Sequence, residues 1–217
     1  MIDGEKQVLV FDLDGTLIDS IGDLNEAANR LLAELGRPGL TAAEMRPMVG
    51  DGAGKLIERV LAARPGPPAD AEAALARFLA LYEAAPATAT RPYPEVAATL
   101  AELRADGYRL AVCTNKPERV TRLILDRLAL AQYFELIVGG DTMPFRKPDP
   151  RLLIHVAAAL DVALDRILLI GDSEVDAATA EAAGVPFVLM TYGYRRGSVE
   201  AIRRAADLDR FGALLDL

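Results

Sequence analysis

The chain of 217 residues contains one cysteine, one histidine and no tryptophan. A single cysteine leaves no internal disulfide, so the fold does not need an oxidising compartment. Cys113 and His155 are too few to build a zinc site or a Cys/His nucleophile pair. Cys113 lies in an apolar run and reads as a small buried hydrophobe. His155 lies within a helical pattern and reads as structural. Long apolar stretches are also missing, and no segment approaches the ~20 residues of a membrane span. The first apolar run is short and soon meets Asp12 and Asp14, unlike a secretory leader. The expectation is a cytoplasmic protein without a membrane partner. Basic residues are the minority: 24 Lys and Arg against 32 Asp and Glu give a formal net charge of −8. That balance argues against a nucleic-acid or anionic-membrane surface, which needs a basic patch.

What is present is a composition of 52% hydrophobic and 26% charged residues. This is the balance of a compact folded chain, long enough for one sizeable core and a smaller second unit. Short apolar runs alternate with helical patterns through the second half. Strands are expected at Val8–Val10, Arg109–Cys113, Leu136–Val138, Ile167–Ile170 and Phe187–Met190. Helices are expected near 95–105, 117–128, 150–160 and 174–183, with Gly107 and Gly184 as stops and Asp149 as a cap. Such alternation predicts an α/β fold: a parallel sheet of about five strands covered by helices on both faces.

Residues 17–89 break the alternation. Helical spacing at 21–35, 56–63 and 71–84 has no convincing strand between, and Arg64–Pro68 reads as a turn. Ala85–Pro94, with three prolines, reads as a linker. The expected organisation is a discontinuous α/β core, residues 1–16 and 90–217, interrupted by an all-helical insertion, residues 17–89.

Four polar clusters fall at or just past the C-terminal ends of the expected strands, where open parallel sheets bind ligands. They are Asp12/Asp14, Thr114-Asn115-Lys116, Lys147-Pro148-Asp149 and Gly171 to Asp176. Each alone has an ordinary reading. Asp-x-Asp can be a turn, Thr114 and Asn115 can cap the helix after Pro117, Lys147 can be a solvated lysine, and Asp172 and Ser173 can cap the next helix. Asp19 and Ser20 read as caps of the first inserted helix. Gly50–Lys55 has three residues between its glycines and Leu56 after its lysine, so it is not a P-loop. The ordered recurrence of the four clusters beside strand ends is harder to attribute to capping. Two buried unpaired carboxylates would cost several kcal/mol each unless a cation, a proton or a reaction balances them.

Together these clusters closely resemble the haloacid dehalogenase superfamily of phosphotransferases. Asp12-Leu13-Asp14-Gly15-Thr16 is similar to its first motif, Thr114 to its second, Lys147 to its third, and Gly171-Asp172 with Asp176 to its fourth. Within that superfamily, Leu110-Ala111-Val112-Cys113-Thr114-Asn115-Lys116-Pro117, Gly139-Gly140-Asp141-Thr142, Arg146-Lys147-Pro148-Asp149-Pro150, Gly171-Asp172-Ser173 and Thr191-Tyr192-Gly193-Tyr194 resemble phosphoglycolate phosphatases. The resemblance implies a Rossmann-like core with a helical cap after the first motif. It also implies Mg2+-dependent hydrolysis of a small phosphorylated metabolite, 2-phosphoglycolate first. A sugar phosphate, pyrophosphate or a phosphoglucomutase-like transfer is the alternative.

Asp12 is then the expected nucleophile, forming an aspartyl-phosphate, and Asp14 the general acid and base. The implied metal ligands are the Asp12 and Asp172 carboxylates and the Asp14 backbone carbonyl. Asp176, four residues after Asp172, is expected to hold metal waters or Lys147, or else to be an exposed helix carboxylate. Thr114, Asn115 and Lys147 are expected to bind the substrate phosphate, with Lys116 adding to the local positive field. Val49 to Gly54 resembles the cap loop that touches the non-phosphate end of the substrate. There Asp51 stands where asparagine is common, and an inward-pointing charge would oppose a carboxylate substrate. Either a monomer or a homodimer fits the sequence.

Overall fold

A computed structural model describes residues 8–217. The expected core segment beginning at residue 1 therefore has its first seven residues outside the described ones. The first strand, β1 (Val8–Phe11), is apolar at every position and fully buried. A strand covered on both faces needs this composition. β4 (Arg109–Cys113) and β6 (Ile167–Gly171) flank it in parallel, with Phe11 opposite Val112 on one side and Ile170 on the other. β5 (Leu136–Val138) lies outside β4, and β7 (Phe187–Met190) outside β6. A further strand, β8 (Ala206–Leu208), completes the order β5-β4-β1-β6-β7-β8. This sixth strand was not expected. Its residues are half-buried or exposed, and as a short edge strand with Asp207 at its centre it carries no apolar run to mark it.

Side chains alternate across the sheet with period two. Val8 and Val10 join Ala111, Cys113 and Leu169 on one face, under α7 (Arg151–Ala159) and α8 (Glu174–Ala183). Leu9 and Phe11 join Leu110, Val112 and Ile170 on the other, against α5 (Val96–Ala105) and α6 (Glu118–Arg127). Gly184 closes α8 in the left-handed conformation, as a helix stop should. α7 starts one residue later than expected, with Pro150 and not Asp149 at the cap position; Asp149 still accepts the Arg151 N–H at 2.9 Å.

Between β2 (Ile18–Asp19) and β3 (Arg91–Pro92) the chain is helical: α1 (Ile21–Glu34), α2 (Ala42–Met45), α3 (Ala53–Ala63) and α4 (Ala71–Ala84). In α1, Leu24, Ala27, Ala28, Leu31 and Leu32 form the buried stripe of an amphipathic helix. α1 and α3 both pack on α4. α3 starts at Ala53, three residues before the expected Leu56, and its cap residue Gly52, with a positive φ of 90°, turns the chain into the helix. α2, one turn long, is too short for periodicity; its Thr41/Glu44 capping box holds it. The Arg64–Pro68 turn is fastened by Arg37, which donates to the carbonyls of Leu61, Arg64 and Pro67.

The segment expected as a linker contains β3, which pairs antiparallel with β2. Buried Asp23 of α1 fixes the same crossing, accepting the N–H groups of Ala89 and Thr90 at 2.8 Å each and the Thr90 hydroxyl at 2.5 Å. The two chain passages between sheet and helices therefore lie side by side. Leu169→Ala, at a fully buried site, is expected to cost about 2–5 kcal/mol. Ile154→Ala, at a site 49% exposed on α7, should change stability by less than about 0.5 kcal/mol. Urea unfolding of both variants measures the difference.

Candidate active site

Because β4, β1 and β6 are neighbours in parallel register, the residues that follow them meet at one rim of the sheet. Asp12 follows β1, Thr114 follows β4 and Asp172 follows β6. All three are buried, as are Asn115, Lys116, Lys147 and Asp176. The four sequence clusters thus form one site.

Lys147 stands between two acids. Its Nζ lies 2.9 Å from Asp12 Oδ1 and 2.6 Å from Asp176 Oδ1. Asp176 is fully buried and uses its other oxygen to accept from the Ser173 N–H and hydroxyl, closing a capping box at the start of α8. Of its two sequence readings, the one that holds Lys147 is the one observed. Ser173 is the cap; Asp172 is not. Asp172 accepts instead from the Thr16 hydroxyl at 2.9 Å and the Tyr194 N–H at 2.5 Å. Two glycines make this approach possible. A Cβ on Gly193 would sit 2.2 Å from Asp172 Cβ, and one on Gly15 would sit 2.4 Å from Asp172 Oδ2.

Carboxylate oxygens of Asp12, Asp172 and Asp176 all lie within 4.8 Å of one another. With Lys147 as the ammonium beside them, the ionised cluster carries three negative charges against one positive. Burial, opposed by Lys147 and reinforced by Asp176, pushes the Asp12 carboxyl up to about 6. Burial, then the Asp176 and Asp12 charges, hold the Asp172 carboxyl well above the usual range. Burial pulls Lys147 down, but the two facing carboxylates outweigh it and keep the ammonium charged. Asp12 Oδ1 is buried with charge beside it but no hydrogen bond. An all-oxygen donor set with a surplus of two negative charges fits a hard divalent cation. These residues therefore fit the group that the sequence motifs imply.

Asp14 forms a second, nearby pair. Both of its oxygens lie 2.9 Å from Lys116 Nζ, and Oδ1 also accepts the Ser20 hydroxyl at 2.5 Å. The Lys116 ammonium sits 4.7 Å from the centre of the Tyr82 ring on α4. Ser20 was expected to cap α1; its hydroxyl turns to Asp14, and Asp19 accepts the Ile21 N–H at 3.2 Å in its place. Asn115 likewise does not cap α6. Its side chain brackets two other loops, accepting from the Lys147 N–H at 2.9 Å and donating to the carbonyls of Lys147 and Gly50 at 3.1 and 3.0 Å. The start of α6 is capped by Asp141, which accepts the Glu118 N–H at 2.7 Å.

Two cavities meet at Asp12 and Asp14. The larger, of about 500 Å³ with its open mouth, is walled by Leu24, Leu56, Phe78 and Tyr82 from the helices and by Thr114 and Lys116 from the sheet rim. The smaller, of about 290 Å³, is bounded by Asp172, Glu174, Tyr194 and Arg196. His155 lines neither. Asp51 lines neither cavity. Arg59 binds it at 2.5 Å and Arg196 binds it as well. Although burial alone would raise it, these two guanidinium groups hold the Asp51 carboxyl below its ordinary value. Thr16 and Tyr194 had no assigned role in the sequence, although both lie in strings that carried the resemblance. Arg196 had no signal at all.

The chain matches the family described as haloacid dehalogenase-like hydrolase over residues 9–190. A phosphoglycolate phosphatase of Cereibacter sphaeroides is 50% identical over 196 residues, covering 89% of each chain. One from Rhodospirillum rubrum is 45% identical over 216 residues, covering 97% of this chain and 90% of its own. Among solved structures, that of a predicted phosphoglycolate phosphatase from Haemophilus somnus superposes with a TM-score of 0.93 at 29% identity, covering 99% of this chain and 98% of that one. The strand order, the carboxylates gathered at its rim and these similarities lead to one assignment: the chain belongs to the haloacid dehalogenase-like hydrolases.

Proposed function

We propose that this hydrolase is a Mg2+-dependent phosphatase that converts 2-phosphoglycolate to glycolate and phosphate through an aspartyl-phosphate. The observation that carries the reading is the Asp12 carboxylate, buried beside Lys147, at the junction of two cavities and within reach of a second aspartate pair. The relatives named phosphoglycolate phosphatase support the substrate. Phosphate-monoester hydrolysis is among the slowest uncatalysed reactions, so charge neutralisation and positioning must supply a large barrier reduction. Asp12, Asp172 and the Asp14 carbonyl would hold Mg2+, which when bound offsets the surplus negative charge and that of the phosphoryl group.

Asp12 attacks phosphorus in line, and the bond to the leaving alkoxide breaks. Asp14 gives that alkoxide its proton, then takes one from the water that cleaves the aspartyl-phosphate. Its contacts with Ser20 and Lys116 aim the carboxyl group at the cavity both steps share. Lys147 neutralises Asp12 and the incoming phosphate while Asp176 holds it in place. Thr114 supplies a hydroxyl to the phosphoryl oxygens. The Asn115 side chain serves mainly by bracketing Lys147 and the Gly50 loop, which leaves its place beside the phosphate to the backbone. Residues 17–89 act as a cap that excludes bulk water, and their apolar wall admits only a small leaving group.

Purified protein with Mg2+ is expected to release phosphate from 2-phosphoglycolate faster than from sugar phosphates or pyrophosphate, and to stop when EDTA is added. A phosphate-release panel measures this, and no turnover of 2-phosphoglycolate rejects the substrate. Asp12→Asn is expected to lower kcat by at least about 10³-fold. Its metal-free melting temperature should match or exceed wild type, because a buried charge is gone; wild-type turnover would remove Asp12 from the reaction.

A third outcome concerns pH. The Asp12 carboxyl titrates near 6 in the fold against an ordinary 3.8, so folding favours its protonated form. That stabilisation is full below about 4 and lost as pH rises through about 6. Metal-free protein should therefore melt lower at pH 7.5 than at pH 5.5, and saturating Mg2+ should raise the melting temperature more at pH 7.5. Calorimetry with and without Mg2+ tests this, and an equal Mg2+ effect at both pH values contradicts it.

A further inference from the structure

Arg196 reaches from the sheet domain to the helical unit. It lies in the loop after β7, and its Nε donates to the Pro47 carbonyl at 3.0 Å. One terminal nitrogen donates to the Val49 carbonyl at 3.1 Å and also binds Asp51. Arg59 of α3 holds the same strip from behind, donating to the Met48 carbonyl at 2.8 Å and pairing with Asp51. Residues 47–51 are thus gripped from both sides, and this strip carries Val49 and Gly50, which line both cavities.

The loop bearing Arg196 is also tied to the acid cluster and to the crossing between the two units. The Tyr194 N–H holds Asp172, two residues before Arg196. The Tyr194 hydroxyl accepts the Ser20 N–H at 2.8 Å and donates to Asp19 at 2.7 Å, at the point where the chain enters α1. Glu174, at the start of α8, accepts the Arg196 N–H at 3.0 Å and that of Gly197 at 2.5 Å, which anchors the loop to the core. One short segment therefore touches Asp172, the passage into α1 and the cap strip.

We infer that Arg196 is a positioning residue: it latches the helical unit shut over the site through residues 47–51, and its loop sets the Asp172 carboxylate in the same motion. The inference rests on the proposed reading of the two cavities as the active site, and it does not depend on the identity of the substrate. Arg196 is 39% exposed at its side chain, so each contact alone is weak. Several on one guanidinium fork suffice to bias an opening equilibrium, and substrate affinity falls in proportion to the fraction of closed molecules.

The test uses Arg196→Gln and Asp51→Ala, singly and together, in the full chain. Spin labels are placed at Ala62→Cys on α3 and Ala158→Cys on α7, both exposed, while Cys113 is buried. Distances are read with Mg2+ and inorganic phosphate present. Arg196→Gln is expected to lengthen and broaden the label separation and to raise KM about tenfold with a smaller change in kcat. The double variant should be no worse than the more affected single one. Unchanged distances overturn the latch even if KM rises, since Arg196 would then act by touching substrate. Additive losses overturn its action through Asp51. Failure of 2-phosphoglycolate as a substrate would reject the proposed function, and the distance measurement would still decide the latch.

Discussion

Asp12, Asp172 and Asp176 are brought together as buried side chains at one rim of the sheet, and Lys147 is the cation seated between two of them. Like charges in such a place repel strongly, and desolvation penalises each ionised form. The arrangement persists because every acid has something to do. Asp176 caps a helix while fixing Lys147, and Asp172 takes two hydrogen bonds from distant loops. Asp12 is held by the Lys147 ammonium, 2.9 Å from its Oδ1. The same excess of negative charge fits the cluster to a hard divalent cation.

The rest of the fold can be read as support for that rim. A sheet buried on both faces fixes the relative height of Asp12, Thr114 and Asp172 by parallel register. α8 contributes Asp176 from its first turn, and the loop after β7 returns to hold Asp172. The helical unit adds what the sheet lacks: an apolar wall, an aromatic face for Lys116 and a strip of backbone that Arg196 can grip. Its two attachments are paired as β2 and β3 and fastened by Asp23.

Much of this was legible before any coordinates. The strands at the centre of the sheet announce themselves because double burial demands uninterrupted apolar residues, as in Val8–Phe11 and Ile167–Ile170. β8 gave no such sign, since an edge strand needs only its backbone. Asp12, Asp14, Lys147 and Asp172 stood out because acids and a lysine at strand ends have few structural uses in combination. The Ser20 side chain does not make the helix cap expected of it, and of the two readings open for Asn115 the capping one is not observed. Capping is a local rule; Ser20 turned back to Asp14 across the intervening turn, and Asn115 found its partners far along the chain, in the Lys147 and Gly50 loops. Arg196 was invisible because an arginine after a turn has no signature until its partner, more than a hundred residues earlier, is placed beside it.

The order of residues alone set which elements form and which chemical groups stand at their ends, because periodicity, capping and backbone freedom act over a few residues. Only the tertiary structure decided the pairing of charges: Lys147 to Asp12 and Asp176, Lys116 to Asp14, Arg196 to Asp51. Ion pairs and hydrogen bonds are made or lost over an ångström or two. That distance is set by strand register and helix packing, which involve residues far apart in the chain.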